Sequence, residues 1–177
     1  MLTNTYKTFL FISSFLPLYV ILIVKFYDFD KSIRYNLLAN QVAFIILLLL
    51  IIISIITFLY FYSCELNHEE SFYGIENKNS EILTYFVTYI VPLTTLNVNN
   101  INSILVNILL FIVIGIFYVK SNLFYLNVLF TLSGFNVYTD NDNKIIISKK
   151  SADKINNRRF VKVKKVGHKI YIINTKK

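Results

Sequence analysis

The chain has 177 residues, of which 55% are hydrophobic and only 16% are charged, and its formal net charge is +8. Soluble domains usually carry about 25% charged residues, and here the apolar residues form long uncharged runs, so the composition predicts an integral membrane protein. Because the whole chain holds only two His and one Cys, groups that exchange protons or bind metals are scarce. We expect no enzyme activity, cofactor or bound metal.

The uncharged runs predict four transmembrane helices. A bilayer core of about 30 Å needs roughly twenty helical residues for one crossing. The run between Glu81 and Lys120 is long enough for two crossings, and its middle, TLNVNNIN, is rich in Asn. Asn favours turns, so a hairpin is expected there, with a short first arm. The predicted spans are about 8–24, 42–62, 82–96 and 101–119.

The charges predict which side of the membrane each segment occupies. Residues 120–177 contain thirteen Lys or Arg and three acids, whereas the loop 63–81 contains five acids and one Lys. Because basic segments near membrane ends are retained in the cytoplasm, we expect an inner-membrane, multi-pass protein with both termini and the acidic loop in the cytoplasm. The three basic residues of KFYDFDKSIR oppose this orientation.

The last third of the chain is predicted to leave the bilayer. A fifth span would have only Lys120 and Ser121 for its turn after the fourth span, and Ser133-Gly134 interrupts residues 121–139, which favours an interfacial connector over a fifth span. Residues 140–177 alternate in a β-like manner around Asp/Asn and Gly turns. A four-stranded antiparallel element is expected, leaning on the membrane, the acidic loop or a neighbouring subunit. The predicted fold is therefore an all-α transmembrane four-helix bundle, residues 1–120, with a small cytoplasmic antiparallel β element.

The candidate contact residues are charged and lie in the tail and the acidic loop. Three partners fit the basic residues: anionic lipid headgroups, an acidic protein surface, and nucleic acid, the last being least favoured because no binding motif is present. Glu65, His68 and Glu69 have helical spacing and could bind a divalent ion, although an ordinary acidic helix end is the preferred interpretation. The predicted contact residues are Lys149, Lys150, Arg158, Arg159, Lys162, Lys164, Lys165, Glu65, Glu69 and Glu70.

Asn107 is a polar residue inside the fourth predicted span. An amide in hydrocarbon seeks a hydrogen-bond partner, which predicts a role in helix association. The other hypothesis is a ring of Asn107 side chains that lines a pore at an oligomer axis.

Two segments resemble a known family. The run YVKSNLFYLNVLFTLSGFNVY (118–138) and the stretch TYFVTYIVPLTTLN (84–97) resemble membrane subunits of the KwaA type, from the two-component Kiwa anti-phage system. The resemblance implies a membrane-embedded oligomer, a tetramer, that acts in bacterial antiviral defence. It also implies a soluble, DNA-binding partner of the KwaB type.

The resulting hypothesis is an inner-membrane scaffold that senses infection and recruits a cytosolic DNA-binding effector through the loop and the tail. The alternatives are an oligomeric pore or channel-like effector, or a small transporter.

Overall fold

A computed structural model describes residues 2–63, 66, 68–94, 97, 100–156 and 160–173. The helices of the first 120 residues are α1 (Asn4–Ser14), α2 (Leu16–Phe26), α3 (Ile33–Ala39), α4 (Gln41–Tyr62), α5 (Asn79–Tyr85), a π-helical turn (Phe86–Ile90), α6 (Val91–Leu93) and α7 (Ile101–Lys120). After these come a 3-10 helix (Leu123–Leu126), α8 (Val128–Leu132) and α9 (Ala152–Asn156). The strands are β1 (His68–Glu70), β2 (Glu76–Asn77), β3 (Asn136–Thr139), β4 (Ile145–Ser148), β5 (Val161–Gly167) and β6 (Ile170–Ile173).

The first predicted span is two helices rather than one. Helices α1 and α2 meet at a bend of 43°. Pro17 lies in the first turn of α2 and has no N–H donor to continue the ladder of α1. Just before it, the hydroxyls of Ser13 and Ser14 donate to backbone carbonyls one turn earlier, at 2.8 and 2.7 Å. Such hydroxyl bonds to the helix backbone often accompany bending.

The four-helix bundle prediction is wrong. Among the residues that the structure describes, two helices are long and apolar enough to cross a membrane, Gln41–Phe61 and Ile101–Lys120, or three if the bent pair forms one span. The third predicted span is the helical segment 79–93, interrupted by the π turn. Its fifteen residues rise only about 22 Å, less than a bilayer core.

The β element is also larger than predicted. Six strands form one mixed sheet in the order β1-β5-β6-β4-β3-β2, in which β4 and β6 are parallel and the other pairs antiparallel. Strands β3 and β4 form an antiparallel hairpin around the Asp/Asn turn that the sequence pattern indicates. The two additional strands come from the acidic loop, which provides both edges of the sheet. Of the supports expected for the tail, the acidic loop is the one that the structure shows.

Both faces of this sheet are buried. Because side chains alternate along a strand, β6 sends Ile170 and Ile172 to one face and Tyr171 and Ile173 to the other. The first face, called the helix-facing face, packs on the connector and the helix ends. The opposite, outer face is covered by α9 and by the loop between β1 and β2. The connector residues buried with the helix-facing face are Phe124, Phe130 and Phe135.

Residues 71–75, here called the strap, cross the outer face from one edge of the sheet to the other. Phe72 is 0% exposed and packs edge-to-face on Tyr171, with ring centroids 5.6 Å apart. The six residue steps from Glu70 to Glu76 cover about 20 Å at full extension. Five strand spacings in a flat sheet would need about 24 Å. The strap therefore has little slack, and the sheet must curl toward it.

Gly74 lets the strap pass close to the β3–β4 turn. It has a φ of +62°, and a Cβ built on it would overlap the side chain of Asn141. Beside it, the Asn141 N–H donates to the Tyr73 carbonyl at 3.0 Å. Since both the left-handed backbone and the close approach require glycine, this position fixes the path of the strap.

We expect Gly74→Ala to lower the unfolding free energy by about 2–4 kcal/mol, combining left-handed strain with displacement of Asn141. Gly134→Ala is the matched control, because Gly134 has a φ of +79° but no atom within 4 Å of the point that an added Cβ would occupy; it should cost only about 1 kcal/mol. Thermal unfolding of the purified full chain measures both. The double change Gly74→Ala/Asn141→Ala should return to the level of the control. Equal losses for the two single variants would contradict a tight strap.

Candidate functional site

Four chain segments meet the sheet at the same end of the helices. At the start of the chain, the Leu2 N–H donates to the Val166 carbonyl of β5 at 3.0 Å. Helix α4 leads into β1, and α5 begins two residues after β2. The Asn79 amide of α5 accepts from the Val137 N–H of β3 at 2.9 Å. Helix α7 then leads into the connector that packs under the sheet. Segments 68–77, 136–156 and 160–173 therefore share one side of any membrane that α4 and α7 cross.

The opposite end of the helices carries little positive charge. Only three of the eighteen Lys and Arg residues, Lys25, Lys31 and Arg34, lie between the last turn of α2 and the start of α4. Lys25 Nζ donates to the Thr94 carbonyl at 2.7 Å, which brings the ends of α2 and α6 together. Lys31 pairs with Asp28 at 3.2 Å on the surface. Positive charge is thus concentrated in the sheet-side and tail segments.

The predicted lysines of β5 do not share one surface. Lys164 pairs across the ladder with Ile172 of the helix-facing face, and Lys165 pairs with Tyr171 of the outer face. Lys162 lies on the same face as Lys164 because side chains two residues apart point the same way. Lys162 and Lys165 are exposed and Lys164 is half-buried. The strand thus presents its lysines to two different environments.

The remaining predicted basic residues lie beside the sheet or outside the described residues. The Lys149 ammonium lies 4.9 Å from the ring centroid of Phe135, a residue of the helix-facing core. Lys150 is half-buried, and its carbonyl accepts from the Tyr138 hydroxyl at 3.1 Å. Arg158 and Arg159 lie outside the described residues.

The predicted acidic residues are split by the same alternation. Glu69 lies opposite Lys162 in the β1–β5 ladder, on the helix-facing face. Glu70 lies opposite Val161 of the outer core. The helical spacing assumed for His68 and Glu69 is wrong, because His68–Glu70 is a strand, in which neighbouring side chains point to opposite faces. Glu65 lies outside the described residues.

Lys144 is a structural residue that sequence reasoning missed. Its ammonium lies 3.7 Å from a Glu70 carboxylate oxygen and 3.5 Å from one of Asp142, and 5.9 Å from the ring centroid of Phe72. Partial burial opposes its charge, but Asp140, Glu70 and Asp142 outweigh that effect and raise the pKa of Lys144. It therefore ties β1, the strap and the β3–β4 turn together as a cation. The sequence feature that could have indicated this ion pairing is the position of Lys144 directly after the acidic turn DNDN.

Asn107 borders a groove of about 320 Å³ lined by apolar side chains of α1, α2, α4, α6 and α7. Its amide donates to the Ser103 carbonyl of its own helix at 2.9 Å. This bond satisfies one donor without a neighbouring helix. The role of Asn107 in helix association stays a prediction.

Asn127 is a second residue that sequence reasoning missed, and it joins the connector to the bend. Its side chain is 0% exposed. The amide nitrogen donates to the Leu10 carbonyl at 3.1 Å and to the Ser13 hydroxyl at 2.8 Å, while the amide oxygen accepts from the Leu129 N–H at 2.9 Å. The last bond caps α8, so one side chain fixes both elements.

Comparisons with known proteins identify the family. No curated protein and no solved structure matches the chain. Residues 6–172 match the family model of the anti-phage protein KwaA. This match confirms the resemblance carried by residues 84–97 and 118–138 and extends it along nearly the whole chain. The protein therefore belongs to the KwaA family of anti-phage proteins, and its role is in defence against phage.

Proposed function

We propose that this protein is the membrane-embedded subunit of its anti-phage system, sensing infection at the cytoplasmic membrane and recruiting a cytosolic effector. The partner is the KwaB-type DNA-binding subunit that the family resemblance implies. The observation that carries the proposal is the single sheet built from β1 and β2 of the acidic loop and from β3 to β6 near the C-terminus, at one end of two span-length helices.

The charge distribution supports a cytoplasmic location for this sheet. Basic residues near membrane ends are retained inside, and all but three of the Lys and Arg residues lie outside residues 25–34. With the sheet inside, both termini lie in the cytoplasm, and the segment between α2 and α4 faces the periplasm. Helices α4 and α5 are joined to opposite edges of the sheet. A displacement of either helix in the bilayer would then act on the sheet directly.

The strap and α9, which cover the outer face of the sheet, form with its exposed lysines the surface that a cytosolic partner can reach. The strap presents Tyr73, which is 60% exposed, and exposed aromatic residues of this kind often dominate binding energy at interfaces. Exposed lysines accompany it, Lys165 on β5 and Lys154 on α9. An acidic or mixed-charge surface on the partner would complement them.

The test is co-purification of the full-length protein with a soluble KwaB-type subunit at physiological salt. We expect Tyr73→Ala to weaken recovery of the partner about tenfold, and Lys154→Glu/Lys165→Glu to weaken it further through charge repulsion. The matched control is Lys162→Glu/Lys164→Glu, which makes the same change in charge on the helix-facing face. Unchanged recovery with both outer-face variants would refute docking at this surface.

A further inference from the structure

The helix-facing face of β5 extends beyond the apolar core as a basic strip. Val166 is buried on this face and accepts the backbone hydrogen bond from Leu2 at the start of α1. At about 3.3 Å per residue, Lys164 lies roughly 7 Å and Lys162 roughly 13 Å farther along the strand. Both lysines therefore lie on the face of the sheet that is turned toward the helix ends, beyond its apolar core.

Other lysines lie at the sheet-side ends of the helices or beside the helix-facing core. Lys120 is exposed in the last turn of α7, Lys7 is half-buried in α1, and Lys149 lies over the ring of Phe135. Among the described residues, the acids near this level are Glu69, which lies opposite Lys162, and Glu81, which pairs with Lys78 at the start of α5. The balance of charge at the sheet-side ends of the helices is thus strongly positive.

We propose that Lys162 and Lys164 bind the headgroups of anionic phospholipids, so that the sheet rests on the cytoplasmic surface of the bilayer. The inference depends on the proposed function only in requiring that α4 and α7 cross the membrane. Lysine suits this position because its apolar stem can lie along the membrane interface while the ammonium meets phosphate.

The direction of the face favours lipid over a soluble macromolecule. A protein or nucleic acid would have to enter between the sheet and the bilayer to reach Lys162 and Lys164. Lys165, on the same strand but the outer face, remains open to such partners. One strand thereby divides its charges between a lipid surface and a cytosolic surface.

The experiment uses the purified full-length protein in neutral detergent, without any partner. Native mass spectrometry measures the binding of dihexanoyl phosphatidylglycerol and, as the zwitterionic comparison, dihexanoyl phosphatidylcholine. We expect the wild-type protein to prefer phosphatidylglycerol, and Lys162→Glu/Lys164→Glu to lower that affinity at least about tenfold, since each lysine near an anionic surface contributes roughly fivefold.

The matched control is Lys154→Glu/Lys165→Glu, which should leave phosphatidylglycerol binding within about twofold, because these residues belong to the outer face. The milder variant Lys162→Gln/Lys164→Gln should shift affinity in the same direction as the glutamate pair, and circular dichroism checks that each variant is folded. Equal losses from both glutamate pairs, or no loss from the helix-facing pair, would overturn the proposal.

Two competing ligands test whether the lysines bind phosphate groups other than those of lipids. Inorganic phosphate at equal concentration should not displace phosphatidylglycerol; displacement would indicate a site for free anions instead. A single-stranded DNA oligonucleotide should not bind in a manner that depends on Lys162 and Lys164. Since the readout needs no partner, loss of partner recruitment and loss of lipid binding remain separate outcomes.

Discussion

Replacing Phe72 by alanine is expected to lower the unfolding free energy of the sheet by about 3–5 kcal/mol, the range for deleting a fully buried phenyl ring. Phe72 is the side chain by which the strap fills the outer core, in contact with Tyr171 and close to the Lys144 ammonium. A cavity at this point removes the main packing contact that holds the strap against the sheet. The edge strands β1 and β2 have only three and two residues, so their backbone hydrogen bonds alone would hold them weakly in the sheet.

The measurement is amide hydrogen exchange of the full-length protein in detergent. Residues 161–163, which pair with β1, should exchange much faster in Phe72→Ala, while the centre of α4 should change little. Tyr73→Ala is the control, since it removes a neighbouring aromatic ring that is mostly exposed. Similar exchange in the two variants would show that the strap does not stabilise the sheet.

The second large effect is expected for Asn127→Leu, which should cost about 3 kcal/mol. The loss of the α8 cap accounts for about 1 kcal/mol. The two bonds to α1 account for the rest, because the buried Ser13 hydroxyl and the Leu10 carbonyl each lose a donor. Thermal unfolding monitored by circular dichroism should show a lower midpoint, by about 6–12 °C for a chain of this size.

A graded series separates the two roles of Asn127. Asn127→Ser keeps a capping hydroxyl but loses the bonds to α1. Its loss of unfolding free energy should therefore be about two thirds of the loss caused by Asn127→Leu. Asn102→Leu is the control, since Asn102 is exposed in the first turn of α7. If Asn127→Leu matched that control, the connector would not depend on its bonds to the bend.

The long apolar helices were the part of the fold that sequence could predict well. The structure places α4 at Gln41–Tyr62 and α7 at Ile101–Lys120, within one residue of the predicted spans, because an uncharged run of that length has few alternatives to a helix. Hydropathy could not show the bend at Phe15, which depends on Pro17 and on local hydroxyl bonds. Nor could it show β1 and β2, which are too short for any alternation to be visible and form only by pairing with strands far along the chain.

The sequence predicted which charged segments form the candidate site, but not how their side chains are arranged. Charge counts grouped the basic tail and the acidic loop, and the structure joins them in one sheet. Charge counts could not show that strand alternation places Lys165 on the opposite face of the sheet from Lys162 and Lys164. Lys144 and Asn127 were missed because their importance comes from what the fold brings near them, Glu70 in one case and the Leu10 carbonyl in the other.

The strand order has a consequence for biosynthesis. Strand β1 emerges from the ribosome about ninety residues before its neighbour β5, and the two are separated by helix α7. At typical translation rates of about 5–20 residues per second, synthesis of β5 follows that of the strap by roughly 5–20 seconds. During that interval Phe72 has no complete sheet to pack against. Assembly of this surface is therefore a late step in synthesis of the polypeptide, because it requires that α4 and α7, on either side of the strap in the chain, have both been made.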